Sequence, residues 1–168
     1  MRLLDWVFVA FFATHIPATL LVDLQCLPPL QEHYPAFAKD ILAFHISQFH
    51  DPLMATCPVW LQSFIVCELF FQLPFFVLAL YAFATRGNWI RIPAIVYGAH
   101  TATTLVPILA YLATVVPDPN SPSGPLSSSD RAALLAVYLP YALVPALLVW
   151  RMASTTTPFP PRLHPKSS

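Results

Sequence analysis

Charged side chains are scarce in this sequence. Asp, Glu, Lys and Arg supply 10% of the 168 residues and hydrophobic residues 57%, whereas soluble domains carry about 25% charged residues. That balance excludes an ordinary soluble domain and implies a membrane protein about one domain long. Net charge is lacking too, since eight basic residues balance eight acidic ones. Without a basic face, no nucleic-acid partner is expected. Three cysteines, Cys26, Cys57 and Cys67, are too few and too scattered for a disulfide framework or a zinc site. A single Cys26–Cys57 bridge stays open, because both fall on one side of the topology below. There is no N-glycosylation sequon, since Asn120-Ser121 is followed by Pro122. A P-loop, a dinucleotide fingerprint, a nucleophile elbow and a His-rich metal spacing are also missing, so neither cofactor nor metal is expected. Against three glycines stand 19 prolines, tolerated inside membrane helices because neighbours re-satisfy the freed backbone groups.

What is present is a set of four apolar runs: Leu3–Val22, Pro58–Thr85, Ile92–Val116 and Arg131–Trp150. Each is long enough to cross a bilayer, which takes about 20 residues. The first is too long for a signal-peptide core and has no small-x-small cleavage site, so it is read as a retained span, kinked at Pro17. The stretch from Leu30 to Cys57 is too polar to span. Within it Phe37, Ile41, Phe44 and Gln48 recur at helical spacing, which predicts a short amphipathic helix on the membrane surface or capping the bundle. Asp51-Pro52 reads as a helix start, with Asp51 as N-cap and Pro52 at the first helical position. Residues 117–130 are rich in Pro and Ser and read as a flexible loop. The expected fold is an all-α membrane protein. It is a four-transmembrane-helix bundle (residues 1–152) with a short lumenal amphipathic segment between helices 1 and 2, and a flexible cytoplasmic tail (153–168). Arg2, Arg86, Arg91, Arg151, Arg162 and Lys166 fall on one side and only Lys39 and Arg131 on the other. By the positive-inside rule both termini are cytoplasmic.

Glu68 lies near the middle of the second run, where an acidic residue costs about 2.5 to 3.5 kcal/mol on insertion scales. An acid there marks a ligand, ion or proton site, or else a neutral hydrogen-bonded group that fixes helix packing. Gln72 follows at i+4 and shares its face, and Pro74 is expected to kink the helix. His15, Thr19 and Asp23, spaced by four, form one stripe of the first helix. His15 reads as a packing or hydrogen-bonding residue, and Asp23 as either a solvated boundary acid or a partner for Glu68. The latter requires the first helix to kink and its exit to fold inward. Two carboxyls sharing a dry site cannot both ionise freely and hold one proton between them. Such a pair can bind a cationic amine, protonate an apolar substrate or relay protons. Phe64, Phe71, Tyr97, Tyr138 and Tyr141 are candidates to line an apolar chamber beside it, and Thr104 shares a face with Tyr97. Ordinary aromatic packing is the alternative for any one ring.

These residues carry a resemblance. The stretches His15-Ile16-Pro17 through Asp23-Leu24-Gln25, Asp51-Pro52-Leu53, Cys67-Glu68 through Phe75-Phe76, Trp89-Ile90-Arg91 through Ile108-Leu109, and Tyr138 through Tyr141 to Pro145 resemble the EXPERA family. That family groups emopamil-binding protein, the sterol isomerase, with its relatives. The resemblance implies a four-helix bundle in the endoplasmic reticulum membrane, homodimeric, with a pocket entered from the bilayer and occupied by sterols or hydrophobic amines. It makes Asp23 and Glu68 the acidic pair, with Glu68 facing the ligand amine, Gln72, Thr104 and Tyr141 pocket residues, and Asp51 a structural acid. The tail lacks the lysine-rich ending of the family. Two functions follow as expectations. The first is a binding protein for sterols and hydrophobic cationic amines, acting in sterol homeostasis through a sterol-transport protein partner. The second is a sterol Δ8-Δ7 isomerase in which Glu68 and Asp23 are the catalytic proton-transfer pair. A cation transporter is weaker, since no internal repeat or ladder of acids crosses the bilayer.

Overall fold

Proline and polar breaks cut the chain into helices, and the computed structural model describes residues 3–160. Helix α1 (Leu3–Leu21) continues as a 3-10 turn, Asp23–Cys26. Three short helices follow: α2 (Pro28–Gln31), α3 (Ala36–Phe49) and α4 (Pro52–Thr56). The next rod is α5 (Val59–Cys67), a π-helical turn (Glu68–Gln72) and α6 (Leu73–Thr85). Two long helices complete the fold, α7 (Arg91–Thr114) and α8 (Ser128–Ala153). No strand occurs among the described residues. Four stretches are long and apolar enough to cross a membrane: Leu3–Cys26, Val59–Thr85, Asn88–Thr114 and Ser128–Ala153. The chain is therefore an all-α, multi-pass membrane protein.

Two apolar clusters fill the bundle. One gathers Phe8, Phe12, Phe76, Phe83, Tyr97 and Met152 near the end that carries both termini. The other gathers Leu24, Leu53, Ile65, Leu105, Leu112 and Leu134 near the opposite end. There Cys26 and Cys57, left open by spacing alone, form a disulfide with Cα atoms 5.3 Å apart, and Gln25 donates to the carbonyl of Ala38 at 2.8 Å. Helix α3 packs by Ala38 and Leu42, while Phe37, Ile41 and Phe44 face outward. The expected amphipathic helix thus packs on the bundle with one face and exposes an apolar stripe on the other.

Helices α7 and α8 meet at Gly98. A Cβ there would lie 2.7 Å from the Pro145 carbonyl oxygen and 2.7 Å from Val149 Cγ2, so a hydrogen is what lets the backbones approach. Gly98→Ala is expected to cost about 1–3 kcal/mol as overpacking, read as a lower thermal midpoint in detergent micelles.

Both ends of the bundle are closed by side chains that reach helix termini. Ser127 and Asp130 form a capping box at the start of α8, and the Arg131 guanidinium donates to the Leu112 and Val115 carbonyls at the end of α7. In the preceding Pro/Ser segment, read as a flexible loop, Ser123 and Leu126 are buried. At the other end Arg91 Nε donates to the carbonyls of Met152 (2.9 Å) and Thr155 (2.7 Å). Asn88 and Phe159 exchange two hydrogen bonds, at 3.0 and 2.8 Å, and the Phe159 ring packs edge-on to Phe83. Residues 154–160, assigned by composition to a flexible tail, are therefore strapped across the bundle end. The rest of that tail, 161–168, lies outside the described residues.

Candidate functional site

Pro74 creates the local geometry of the site. It has no N–H to donate, and its ring excludes the carbonyl four residues earlier. Instead of a simple kink, the ladder shifts register by one residue over Glu68–Gln72, and Leu73 N–H bonds the Glu68 carbonyl. Such π turns recur at functional sites. Both polar side chains of this turn look into the bundle. Gln72 is buried and its Oε1 accepts from the Thr101 hydroxyl at 3.2 Å.

The stripe on α1 meets this turn. The Thr19 hydroxyl donates to Glu68 Oε1, and His15 Nε2 stands 3.5 Å from the same oxygen. The His15 ring stacks on Phe76 (centroids 4.7 Å apart) and lies edge-on to Tyr141 (4.7 Å) and Phe11 (5.1 Å). Asp23 is carried in by the 3-10 turn after α1. One donor atom from each of His15, Asp23 and Glu68 lies within 4.8 Å of the others. Among the described residues, no lysine or arginine forms an ion pair with either acid. Outside the spans, the Tyr34 hydroxyl donates to the Leu20 carbonyl. Burial, and then the nearby Asp23 charge, push its pKa above the ordinary tyrosine range.

The three side chains open on a cavity of about 190 Å³. Its walls are mainly apolar, with Leu61, Ile65, Leu105 and Ile108 beside Met54. Of the residues expected to line it, Asp23, Phe64, Glu68, Gln72, Thr104, Tyr138 and Tyr141 do. Phe71 and Tyr97 do not. Phe71 stands 41% exposed on the outer side of the rod, edge-on to His100. The register shift at the π turn separates it from the cavity-facing positions. Tyr97 is fully buried and stacks on Phe75, with centroids 4.4 Å apart, inside the terminal-end core. It lies one helical turn from Thr101, packed among Phe12, Phe75 and Phe76. Phe64→Ala is accordingly expected to weaken ligand binding several-fold, while Phe71→Ala leaves affinity within about twofold, since only the first loses contact area in the pocket. Parallel saturation curves on the two variants check this.

Sequence reasoning missed His45, gave His15 a packing or hydrogen-bonding role, and did not assign Thr101 to the pocket. All three line the cavity. His45 donates through Nε2 to Asp51 Oδ2 at 3.1 Å, and the Tyr138 hydroxyl donates to the same oxygen at 2.7 Å. Asp51 is fully buried, and its Oδ1 caps α4 by accepting from Leu53 and Met54 N–H. It therefore serves as the anticipated N-cap and also as the anchor of two cavity side chains.

A model of the family EBP, described as EXPERA (EXPanded EBP superfamily), matches residues 37–152. The chain belongs to the EXPERA superfamily. Within it, the chain is similar to Sigma intracellular receptor 2 of Xenopus tropicalis, 47% identical over 90% of this chain and 88% of that one. Its similarity to Sigma intracellular receptor 2 of Homo sapiens is 42% identity over 88% of this chain and 86% of that one. The chain is also similar to Efficient mitochondria targeting-associated protein 19 of Saccharomyces cerevisiae, 30% identical over 82% of this chain and 90% of that one. The matched EXPERA region contains Asp51, Glu68, Gln72, Thr101, Thr104, Tyr138 and Tyr141. His15 and Asp23 precede it.

Proposed function

We propose that this chain is an intramembrane binding protein for sterols and hydrophobic cationic amines, acting in sterol homeostasis. The observation that carries this reading is the acidic cluster. Asp23 and Glu68 sit side by side in the wall of an apolar cavity, with a carboxylate oxygen of each within 4.8 Å of the other, and no lysine or arginine among the described residues pairs with them. Two adjacent acids at membrane depth with no lysine or arginine beside them are costly and call for a cation or a proton. A ligand with a cationic amine and an apolar body satisfies the acids and the walls together. The rings of Phe64, Tyr138 and Tyr141 add attraction for the cation, roughly 0.5 to 2 kcal/mol where desolvated. Similarity to proteins named as intracellular receptors supports a binding role.

The protein acts as a homodimer in the endoplasmic reticulum membrane, with a sterol-transport protein as partner. Its disulfide end faces the lumen and both termini the cytoplasm, in keeping with the six-to-two split of basic residues. The same geometry favours one other reading. A carboxyl touched by Thr19 and His15 can deliver a proton to a ring double bond, and the acids and rings stabilise the resulting carbocation until a proton leaves. That would make the chain a sterol Δ8-Δ7 isomerase, and an amine would then mimic its cationic intermediate. Purified protein given a Δ8 sterol separates the two. Saturable binding without product is expected; Δ7 product, lost in Glu68→Gln, would establish the isomerase. Failure of both sterol and hydrophobic amine to bind would end both readings.

A further inference from the structure

We propose that His15, Asp23 and Glu68 form a binding site for one divalent transition-metal ion of the zinc type. The inference goes beyond the amine and sterol reading and does not depend on it, although the two ligands share the acids.

The donor set is an imidazole and two carboxylates, one donor atom from each lying within 4.8 Å of the others. An imidazole with carboxylate oxygens suits zinc and its neighbours. Calcium and magnesium, in contrast, want six or more oxygens or retained water. Three protein ligands with a position left for water or a cavity molecule is the usual pattern of an open zinc site.

Two further observations point to a bound cation. His15 is only 7% exposed, lines the cavity, and turns Nε2 to within 3.5 Å of Glu68 Oε1, leaving ring Nδ1 without a hydrogen-bond partner. The ring is clamped by Phe76, Tyr141 and Phe11, so a ligand atom is held in place before any ion arrives. Charge is the other observation. Two carboxyls at membrane depth share a proton between them, and among the described residues no lysine or arginine pairs with either, while His15 stands 3.5 Å from Glu68. A divalent ion displaces the shared proton and offsets both carboxylates at once, which a monovalent amine does not. The Thr19 hydroxyl on Glu68 Oε1 orients the carboxylate, as outer hydrogen bonds do in metal sites. Sequence spacing hides such a site, because the ligands come from two different spans and Asp23 arrives on a 3-10 turn.

The test uses the full-length protein in detergent micelles with Co²⁺ as a coloured probe. One Co²⁺ per chain is expected, with visible d–d absorption. Zn²⁺ should abolish the band at stoichiometric amounts, whereas Mg²⁺ and Ca²⁺ in large excess should not. The band should be lost in His15→Gln, Asp23→Asn and Glu68→Gln, and bleached in the unaltered protein by a saturating hydrophobic tertiary amine. The amine arm needs no variant to fold, and thermal melts show which variants do. A chain that develops no band overturns the proposal, as does a band that all three folded variants retain. A band in a protein that binds no amine would leave the metal site standing and defeat the amine reading. Amine binding with no Co²⁺ uptake would do the reverse.

Discussion

Replacing Glu68 by Gln is expected to lower affinity for a hydrophobic tertiary amine about 30-fold or more, equivalent to about 2 kcal/mol. Glutamine preserves the volume of the side chain and can still accept the Thr19 hydroxyl bond that Glu68 accepts. What disappears is the negative charge. An ammonium carried into an apolar cavity loses its hydration, and removing one partner of a buried ion pair costs about 3–5 kcal/mol when the other charge is left uncompensated. The expected loss is smaller because Asp23 remains within reach of the same space. Saturation binding on unaltered and Glu68→Gln protein, at matched fold and matched lipid, measures the difference. Equal affinities would show that the amine does not meet this carboxyl.

Asp51→Ala is expected to be among the most destabilising single changes, at about 3 kcal/mol or more. One fully buried carboxylate accepts from two backbone N–H groups, the His45 ring and the Tyr138 hydroxyl. Alanine strands all of these donors away from water, and each buried donor without an acceptor costs about 1–3 kcal/mol, partly relieved by rearrangement. Loss of the helix cap alone accounts for about 1 kcal/mol. Asp51→Asn retains the capping oxygen but turns an amide toward His45 and Tyr138, so it should fall between the two. The order unaltered, Asn, Ala in thermal midpoint is the expected result. An Ala variant within about 0.5 kcal/mol of the parent, the range of an ordinary surface change, would contradict the anchoring role.

The fold was largely legible in the sequence because a bilayer imposes simple rules. Runs of about 20 apolar residues declare spans, and the Asp51-Pro52 pair declares a helix start that the structure contains. The acids drew attention for a related reason, since a carboxyl amid apolar residues is costly unless a partner or a proton meets it. Details that depend on register or on contacts between distant segments were not legible. Phe71 falls outside the cavity because Pro74 shifts the hydrogen-bond ladder by one residue, and helical spacing alone cannot show that. Tyr97 shares a helix face with Thr104, yet aromatic neighbours on α1 and α6 absorb it into the core. The strap at 154–160 depends on Asn88 pairing with Phe159, seventy-one residues apart, and a Thr- and Pro-rich composition gives no hint of it. His45 was concealed by a helix whose outward face, Phe37, Ile41 and Phe44, dominated the pattern.

The central claim is that a hydrophobic amine sits against Asp23 and Glu68 inside the bundle. The most direct measurement is photolabelling of the protein in lipid nanodiscs with a photoreactive hydrophobic amine, followed by peptide mapping with and without excess unlabelled amine. Protectable label confined to the cavity-lining segments, around residues 15–23, 61–72, 101–108 and 138–141, is the result the account predicts. Protectable label on the lipid-facing side of α6, around Val77, Leu78 and Tyr81, with none on the cavity segments, would contradict it.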